Sequence, residues 1–274
     1  MKNNLNYYIF NLLFTICTFS AQADAGIKHS TSQLSDTQLE DFMRTAKVIE
    51  IEDIELGITQ PKRITLKKNN VTLRAVFKTY STNIKSSKGR SKTRKINSAD
   101  RFQNDLAAYQ LDLILDLDMI PVTVYRKLNG KAGAVQSWIE NSITQKEVHD
   151  SHSNILDACA YKKQEATMDV FDILIHNDDR NLGNVLYTVD NCRLWMIDHS
   201  RSFRVKISRP KSLAKIKIRM SEQFADKLRR LNTSILEEKI GEYVSTSQIK
   251  FIIKRRDLIL SSWQKNGKRD YLEN

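Results

Sequence analysis

Glycine and proline are scarce in this chain, with 8 and 3 copies among 274 residues. This scarcity excludes collagen-like and low-complexity architectures, and internal repeats are also lacking. Apolar residues make up 41% and charged residues 28% of the sequence, which is ordinary for a globular protein and excludes disorder as its main state. A chain of this length has room for one medium domain or two small lobes.

Acidic residues are in deficit, with 32 Asp and Glu against 44 Lys and Arg, and the formal net charge is +12. This balance favours an acidic partner such as a nucleotide, a phosphoprotein, an anionic membrane or a nucleic acid. One basic loop, from Lys85 to Lys95, could recruit an acidic protein or an anionic surface, or could simply be solvated. The loop lacks the interleaved aromatic residues of single-strand binders, so nucleic acid is not an expected partner.

Residues 9–19 form a mostly apolar run that is too short to span a bilayer. Lys2 precedes the run and small residues (Ala21, Ala23 and Ala25) follow it, so we predict a signal peptide over residues 1–25. The chain would then be secreted or periplasmic, or an exported effector. The alternative is a buried amino-terminal helix. Residues 26–47 are predicted to be a loose polar leader.

Cysteine is also rare, with three copies, and Cys17 lies within the predicted signal peptide. Cleavage would leave Cys159 and Cys192. In an oxidising compartment these two could pair, but two isolated core thiols fit the sequence equally well.

β-Rich runs dominate residues 48–140, which we expect to form an amino-terminal lobe. Two hairpins are predicted, the first joining Arg63–Leu66 to Val71–Phe77 and the second joining Pro121–Tyr125 to Ala134–Ile139. A helix is predicted between them, over residues 101–117. Four apolar residues share one face of this helix: Phe102, Leu106, Tyr109 and Leu113.

Residues 141–274 are predicted to form a mainly helical carboxyl-terminal lobe. A third hairpin is expected to join Val185–Tyr187 to Leu194–Ile197, and Ser247 is predicted to cap a later helix. A β-rich half followed by a helical half predicts an α+β fold of two lobes around a cleft.

The loop from Asp179 to Asn184 follows an apolar helix and precedes a strand. Its spacing would present the Asp179 carboxylate to a substrate while the Asn184 amide oxygen faces a metal. Asp198 closes the next apolar strand, where a desolvated carboxylate needs a partner. Mg²⁺ prefers such oxygen ligands. These residues predict phosphoryl transfer, with Asp179 as the catalytic base and Asn184 and Asp198 as the metal ligands. The alternative is an Asp-Arg turn followed by a capping Asp.

Lys78 ends an apolar strand, where it could hold phosphates or lie on an exposed face. Asp105, on the following helix, could pair with it or be a solvated helix charge. Asp178 is the chief rival of Asp179 as the base, and the five-residue spacing to Asn184 selects Asp179. The sequence lacks the closely spaced ligands of a zinc site, so His176 is predicted to orient the loop.

In their order, these elements resemble the atypical kinases related to protein kinases, namely phosphatidylinositol 3-/4-kinases, HipA-type toxin kinases and secretory-pathway kinases of the Golgi casein kinase type. The segment from Asp198 to Phe203 resembles the corresponding segment of the secretory kinases, and the resemblance extends from Leu56 to Phe203. It implies a two-lobed protein-kinase-like fold that binds ATP together with Mg²⁺ or Mn²⁺.

The resemblance also implies roles for individual residues. Lys78 would contact the α- and β-phosphates, with Asp105 standing where the family has a Glu. Gly57 lies in the stretch 56–62 that would cover the phosphates. Four residues would form the connector that meets adenine: Gln136, Ser137, Trp138 and Ile139.

Three departures accompany the resemblance. The stretch 56–62 lacks a G-x-G-x-x-G pattern. Asp105 is about one methylene shorter than Glu, which predicts a long or displaced ion pair with Lys78. His199 stands where the families have Phe or Asn.

The expected activity is transfer of the γ-phosphoryl group of ATP to a hydroxyl, that of Ser or Thr in a protein. Basic residues follow the metal-binding Asp and favour an acceptor of acidic character: Lys211, Lys215, Lys217 and Arg219. The alternatives are a lipid or small-molecule kinase, and a pseudokinase that binds nucleotide or a partner without turnover. The sequence gives no indication of the oligomeric state.

Overall fold

The computed structural model describes residues 34–54, 61–79, 81–82, 100–151, 154 and 159–266. Three predicted features lie outside these residues: the signal peptide over 1–25, the phosphate-covering stretch around Gly57, and the basic loop from Lys85 to Lys95. Within the described residues, no helix combines the length and apolarity needed to cross a bilayer.

Five strands form the centre of the amino-terminal half: β1 (Lys47–Asp53), β2 (Lys62–Lys68), β3 (Val71–Lys78), β6 (Thr123–Leu128) and β7 (Lys131–Ser137). They form one antiparallel sheet in the order β1-β2-β3-β7-β6. Both predicted hairpins are present. The β6–β7 turn has positive φ at Asn129 (48°) and Gly130 (79°), which suits the right-handed twist of the strands.

Helix α2 (Phe102–Leu115) lies between the two hairpins, after a short pair of strands, β4 (Ser81–Thr82) and β5 (Asp100–Arg101). Phe102, Leu106 and Tyr109 are buried, as predicted. Leu113 is 43% exposed, so its place on the buried face was predicted wrongly. The helix is buried around most of its circumference, and a single buried stripe therefore describes it poorly.

Helix α1 (Asp36–Thr45) lies within the predicted leader and is folded. Ser35 and Gln38 form a capping box at its start, and Leu39, Phe42 and Met43 pack into the main core. The second half of the leader thus belongs to the folded body of the protein.

The carboxyl-terminal half is mainly helical, and together with the sheet it forms the α+β fold that the sequence predicts. It opens with β8 (Ile143–Thr144) and α3 (Gln145–Ser151), followed by the largely buried α4 (Tyr161–Ile175). The predicted third hairpin is β9 (Val185–Thr188) and β10 (Arg193–Met196). Cys159 and Cys192 form a disulfide, which resolves the alternatives left open by the sequence.

Three helices complete the described fold: α5 (Glu222–Arg230), α6 (Thr233–Ile240) and α7 (Thr246–Lys265). The cap of α7 is Ser245, which forms a capping box with Gln248, and not Ser247 as predicted. Arg255 of α7 is buried and donates hydrogen bonds to the carbonyls of Leu174, Arg204 and Lys206. This side chain supports the backbone that follows Phe203.

Candidate active site

Lys78, Asp105 and Asp198 meet between the sheet and α2. Lys78 Nζ lies 3.0 Å from Asp105 Oδ1 and 3.8 Å from Asp198 Oδ1. The Asp105 side chain is completely buried, whereas that of Asp198 is 38% exposed. The expected long ion pair is not seen, because α2 lies close enough for the shorter Asp105 to reach the lysine directly. Lys78 therefore lies inward and not on an exposed face.

The charges of this cluster shift its ionisation. Burial acts to lower the pKa of Lys78, but Asp105 and Asp198 outweigh it, so the pKa is raised and the lysine is charged. Burial acts to raise the pKa of Asp198, but Lys78 and the hydrogen bonds from Ser200 hold it below its usual value. Asp198 is therefore an anion, the form in which a carboxylate binds a hard cation.

Polar contacts join α2 to the backbone that follows Asp198. Asp198 itself has positive φ (57°), which turns the chain sharply at the end of the hairpin. The His199 amide donates to Asp105 Oδ1 at 3.0 Å. Asn104 Nδ2 donates to the carbonyls of Ser200 and Ser202, at 2.6 and 3.2 Å. Helix α2, whose Asp105 holds Lys78, thereby also fixes the backbone beside Asp198.

The loop after α4 brings Asp179 and Asn184 together. Asn184 Nδ2 donates to the Asp179 carbonyl at 3.0 Å, so its amide oxygen is the atom left to face a cation. Asp179 Oδ2 lies 3.0 Å from Arg201 Nη1. Burial raises the pKa of Asp179, Arg201 opposes that rise, and the neighbouring carboxylates of Asp198 and Asp100 add to it.

Arg180 connects the loop to α4 and to the end of β10. Its guanidinium donates to both carboxylate oxygens of Asp172, at 2.8 and 3.0 Å. It also donates to the carbonyls of Asn184 and Ile197, at 2.8 and 2.7 Å. Its remaining contact is His199 Nε2 at 2.9 Å. Asp172 thus fixes the position of the Arg180 side chain.

His199 is neutral in this arrangement. Burial lowers its pKa well below the ordinary value, and Arg180 and Lys78 add to the effect. Because Arg180 can only donate, Nε2 must accept and the ring proton lies on Nδ1. The residue that departs from the family pattern therefore serves as an acceptor for the loop arginine.

Asp178 has a different set of neighbours from Asp179. Its carboxylate lies 3.4 Å from His176 Nε2 and 3.0 Å from Arg204 Nε. Burial lowers the pKa of His176 to about 4, and Asp178 opposes that change. The two adjacent carboxylates therefore belong to separate clusters, and only Asp179 is linked to Asn184 and influenced by Asp198.

The predicted connector leaves the sheet at the end of β7. Gln136 is buried and donates to Thr123 Oγ1 at 2.9 Å. The amides of Ser137 and Trp138 donate to the carbonyls of Val122 and Arg74, at 2.8 and 3.1 Å. A nucleotide base could use these two amides only if those bonds were given up.

The Trp138 ring and the Ile139 carbonyl of the connector also have partners. The guanidinium groups of Arg63 and Arg74 both lie over the Trp138 ring, at 5.7 and 5.4 Å from its centroid. The carbonyl of Ile139 accepts a hydrogen bond from Ser142 Oγ at 2.9 Å. These contacts fix the path of the chain between the sheet and the carboxyl-terminal half.

A cavity of about 630 Å³ lies beside this connector and is separate from the lysine cluster. It is lined by residues 137–141, by parts of α1 and α2, and by β9 and β10. Lys78, Asp179 and Asp198 are not among its lining residues. It is therefore a different recess from the proposed site of phosphoryl transfer.

Asn184 and Asp198, the predicted metal ligands, each carry a side-chain oxygen that could bind a divalent cation. Among the described residues, no three His, Cys, Asp or Glu side chains group as a metal site. One amide oxygen and one ionised carboxylate nevertheless fit a hard cation that also binds phosphate oxygens and water. The donor chemistry thus suits Mg²⁺ or Mn²⁺ held jointly with a nucleotide.

Sequence reasoning missed Asp100 and the role of Arg201. Arg201 forms a fork to Asp100, from Nε to Oδ1 at 2.9 Å and from Nη2 to Oδ2 at 3.2 Å. Asp100 lies next to the basic loop, where an acidic residue reads as an ordinary surface charge. Its near-complete burial (1% exposed) is visible only in the fold.

No protein-family model matches the chain, and no curated protein is significantly similar in sequence. Solved structures are similar in fold. A Golgi casein kinase is 14% identical, with a TM-score of 0.63 over 88% of this chain and 76% of that one. The structure of "hydra Fam20 with sugar" is 14% identical, with a TM-score of 0.65 over 87% of this chain and 91% of the other.

The Golgi casein kinase has also been solved with Mn and ADP bound. In that form it is 13% identical to this chain, with a TM-score of 0.60 over 83% of this chain and 75% of that one. The likeness extends over most of both chains in all three comparisons, so this chain has the two-lobed fold of these atypical kinases.

Proposed function

We propose that this protein is an ATP- and divalent-metal-dependent kinase that phosphorylates a hydroxyl group, that of Ser or Thr in a protein. The observation that carries the proposal is the buried Lys78–Asp105 pair beside Asp198, on a fold shared with kinases. Phosphoryl transfer requires mainly positioning and charge neutralisation. The site would supply these through a cation that holds the phosphates, a base and two metal ligands.

Each residue would have one task. Lys78 would hold the α- and β-phosphates of ATP, while Asp105 keeps its ammonium in place. Asn184 and Asp198 would hold the divalent ion, which when bound neutralises phosphate charge. Asp179 would orient the acceptor hydroxyl and take its proton, while the hydroxyl oxygen bonds to the γ-phosphorus, the bond to the β-phosphate oxygen breaks and ADP leaves.

The acceptor is proposed to be acidic because the chain after the site is basic. From Arg204 to Arg219 there are seven Lys and Arg residues and no Asp or Glu. Lys206, Lys211, Lys215 and Lys217 of this segment are exposed. The basic loop from Lys85 to Lys95 would add an anionic surface as a second partner. A lipid or small molecule as acceptor is the alternative.

We also propose that the protein acts in a secretory or otherwise oxidising compartment. The Cys159–Cys192 disulfide supports this, since disulfides persist mainly outside the reducing cytosol. The predicted signal peptide over residues 1–25 is consistent with it, and the compared structures include a kinase of the Golgi.

The proposal is tested with labelled ATP, Mg²⁺ or Mn²⁺, and an acidic protein such as casein. We expect transfer by the wild type, and none by Asp179→Ala, which should still bind nucleotide. Asp178→Asn is the matched control, because it alters the neighbouring carboxylate that contacts Arg204 instead. If the wild type binds nucleotide but transfers no phosphate, the pseudokinase alternative is favoured. Transfer to a lipid and not to protein would favour the second alternative.

A further inference from the structure

Arg201 lies between two carboxylates from different parts of the chain. Its Nε and Nη2 form a fork on Asp100, at 2.9 and 3.2 Å, and its Nη1 lies 3.0 Å from Asp179 Oδ2. A bidentate fork fixes the plane of a guanidinium group, and thereby the direction of its remaining N–H bond. Asp100 therefore determines where Arg201 meets Asp179.

Asp100 is itself held firmly. Its side chain is 2% exposed and accepts a hydrogen bond from Ser200 Oγ at 3.0 Å. The neighbouring Arg101 amide donates to the Ser200 carbonyl at 3.1 Å. Asp100 lies in β5, two residues before the start of α2, the helix whose Asp105 holds Lys78. The anchor of Arg201 thus lies just before the helix whose first turn carries the anchor of Lys78.

We propose that Arg201 is a positioning residue for Asp179, and that Asp100 acts through it to couple the orientation of the base to the docking of α2. The inference rests on the proposed kinase activity and assigns a further device to the same site. One oxygen of Asp179 is held by Arg201, which leaves the other for the acceptor hydroxyl. If α2 shifted, Lys78 and Asp179 would lose their alignment together.

The first test measures kcat and the KM for ATP of the wild type, Arg201→Met and Arg201→Lys. Because the proposed role is to orient Asp179 and not to bind nucleotide, Arg201→Met should lower kcat and leave the KM for ATP close to the wild-type value. The lysine variant keeps the charge but cannot form the fork, and its kcat should fall roughly tenfold to a hundredfold.

The second test is a double-mutant cycle with Asp100→Asn. If Asp100 acts through Arg201, Asp100→Asn should lower kcat in the wild type and have little further effect in Arg201→Met. Arg229→Met is the matched control, because Arg229 also bridges two carboxylates, Glu222 and Asp226, but lies on α5. Its kcat should equal that of the wild type.

The outcomes separate the two proposals. A wild type that binds nucleotide but transfers no phosphate would overturn both. An active wild type with an unchanged kcat in Arg201→Met, or with additive effects in the cycle, would overturn only the role of Arg201. If Arg201→Met does not fold, as judged by thermal melting, an Arg201→Lys variant with the wild-type kcat would also overturn that role.

Discussion

Gly133 of β7 lies directly against Lys78 of β3. A Cβ atom at Gly133 would lie 2.5 Å from the Lys78 carbonyl oxygen and 2.5 Å from Cε2 of Phe77. Neither neighbour can move easily, since one is backbone and the other is a buried ring. The absence of a side chain at Gly133 therefore lets β7 approach the end of β3, whose last residue is Lys78.

Gly133→Ala should lower stability by about 1–3 kcal/mol through overpacking and weaken nucleotide binding by displacing Lys78. Urea unfolding and titration with an ATP analogue would measure the two effects. Gly130→Asn is a suitable control, because that turn position has open space and a positive φ that Asn tolerates. A variant at Gly133 with wild-type stability and affinity would contradict the argument.

Asp172→Asn should be strongly destabilising, because it leaves the Arg180 guanidinium without its buried carboxylate. The side chains of Arg180 and Asp172 are 9% and 1% exposed. Breaking such a pair typically costs about 3–5 kcal/mol, and here it would also disorder the loop that carries Asp179. Chemical denaturation and the labelled-ATP assay would test both effects. Asp150→Asn, which removes an exposed pair with Lys146, should change neither.

Replacing both disulfide cysteines, Cys159→Ser with Cys192→Ser, should lower stability. The bond links residues 33 apart in sequence, and closing a loop of that length contributes about 4 kcal/mol by constraining the unfolded chain. Thermal melting with and without reductant measures this. Reductant should destabilise the wild type and leave the double variant unchanged. Equal sensitivity of the two proteins would show that the bond is not the source.

Asp112 should make the protein less stable as the pH rises, the opposite of the usual effect of a carboxyl group. Burial in α2 raises its pKa to about 7, although the Met119 amide opposes this. A carboxyl that binds its proton more tightly when folded stabilises the protein at low pH, and this contribution is lost as pH rises through about 7. Relative to Asp112→Asn, the wild type should therefore lose on the order of 2 kcal/mol between pH 5 and pH 8. Urea unfolding of both proteins at the two pH values would check this, and a constant difference would contradict it.

The sequence predicts best what neighbouring residues decide. The turn at Asn129-Gly130 and the alternation of its flanking strands specify a hairpin locally, and that hairpin is present. The β1 strand was missed because its apolar residues do not mark a buried face: Ile49 and Ile51 alternate with acidic residues, but both are largely exposed. Helix α1 was missed because its three buried side chains stand among many polar ones.

The candidate site likewise has one part that the local sequence predicts and one part that only the fold shows. The order of Lys78, Asp105 and Asp198 follows from a lysine-ended strand, a helix and a strand-ending carboxylate, and the fold brings the three together. The pairing of Asp100 with Arg201 joins residues 101 positions apart, and no local pattern connects two charges over that distance. The Cys159–Cys192 pairing was likewise undecided until the fold brought β10 back beside α4.

The buried Arg255 determines how late in synthesis the backbone after Phe203 can be supported. It supports the carbonyls of Arg204 and Lys206, yet it emerges from the ribosome well after them. A nascent chain already containing every proposed reacting group would still lack this brace. The backbone that follows Phe203 would then gain this support only after translation of α7.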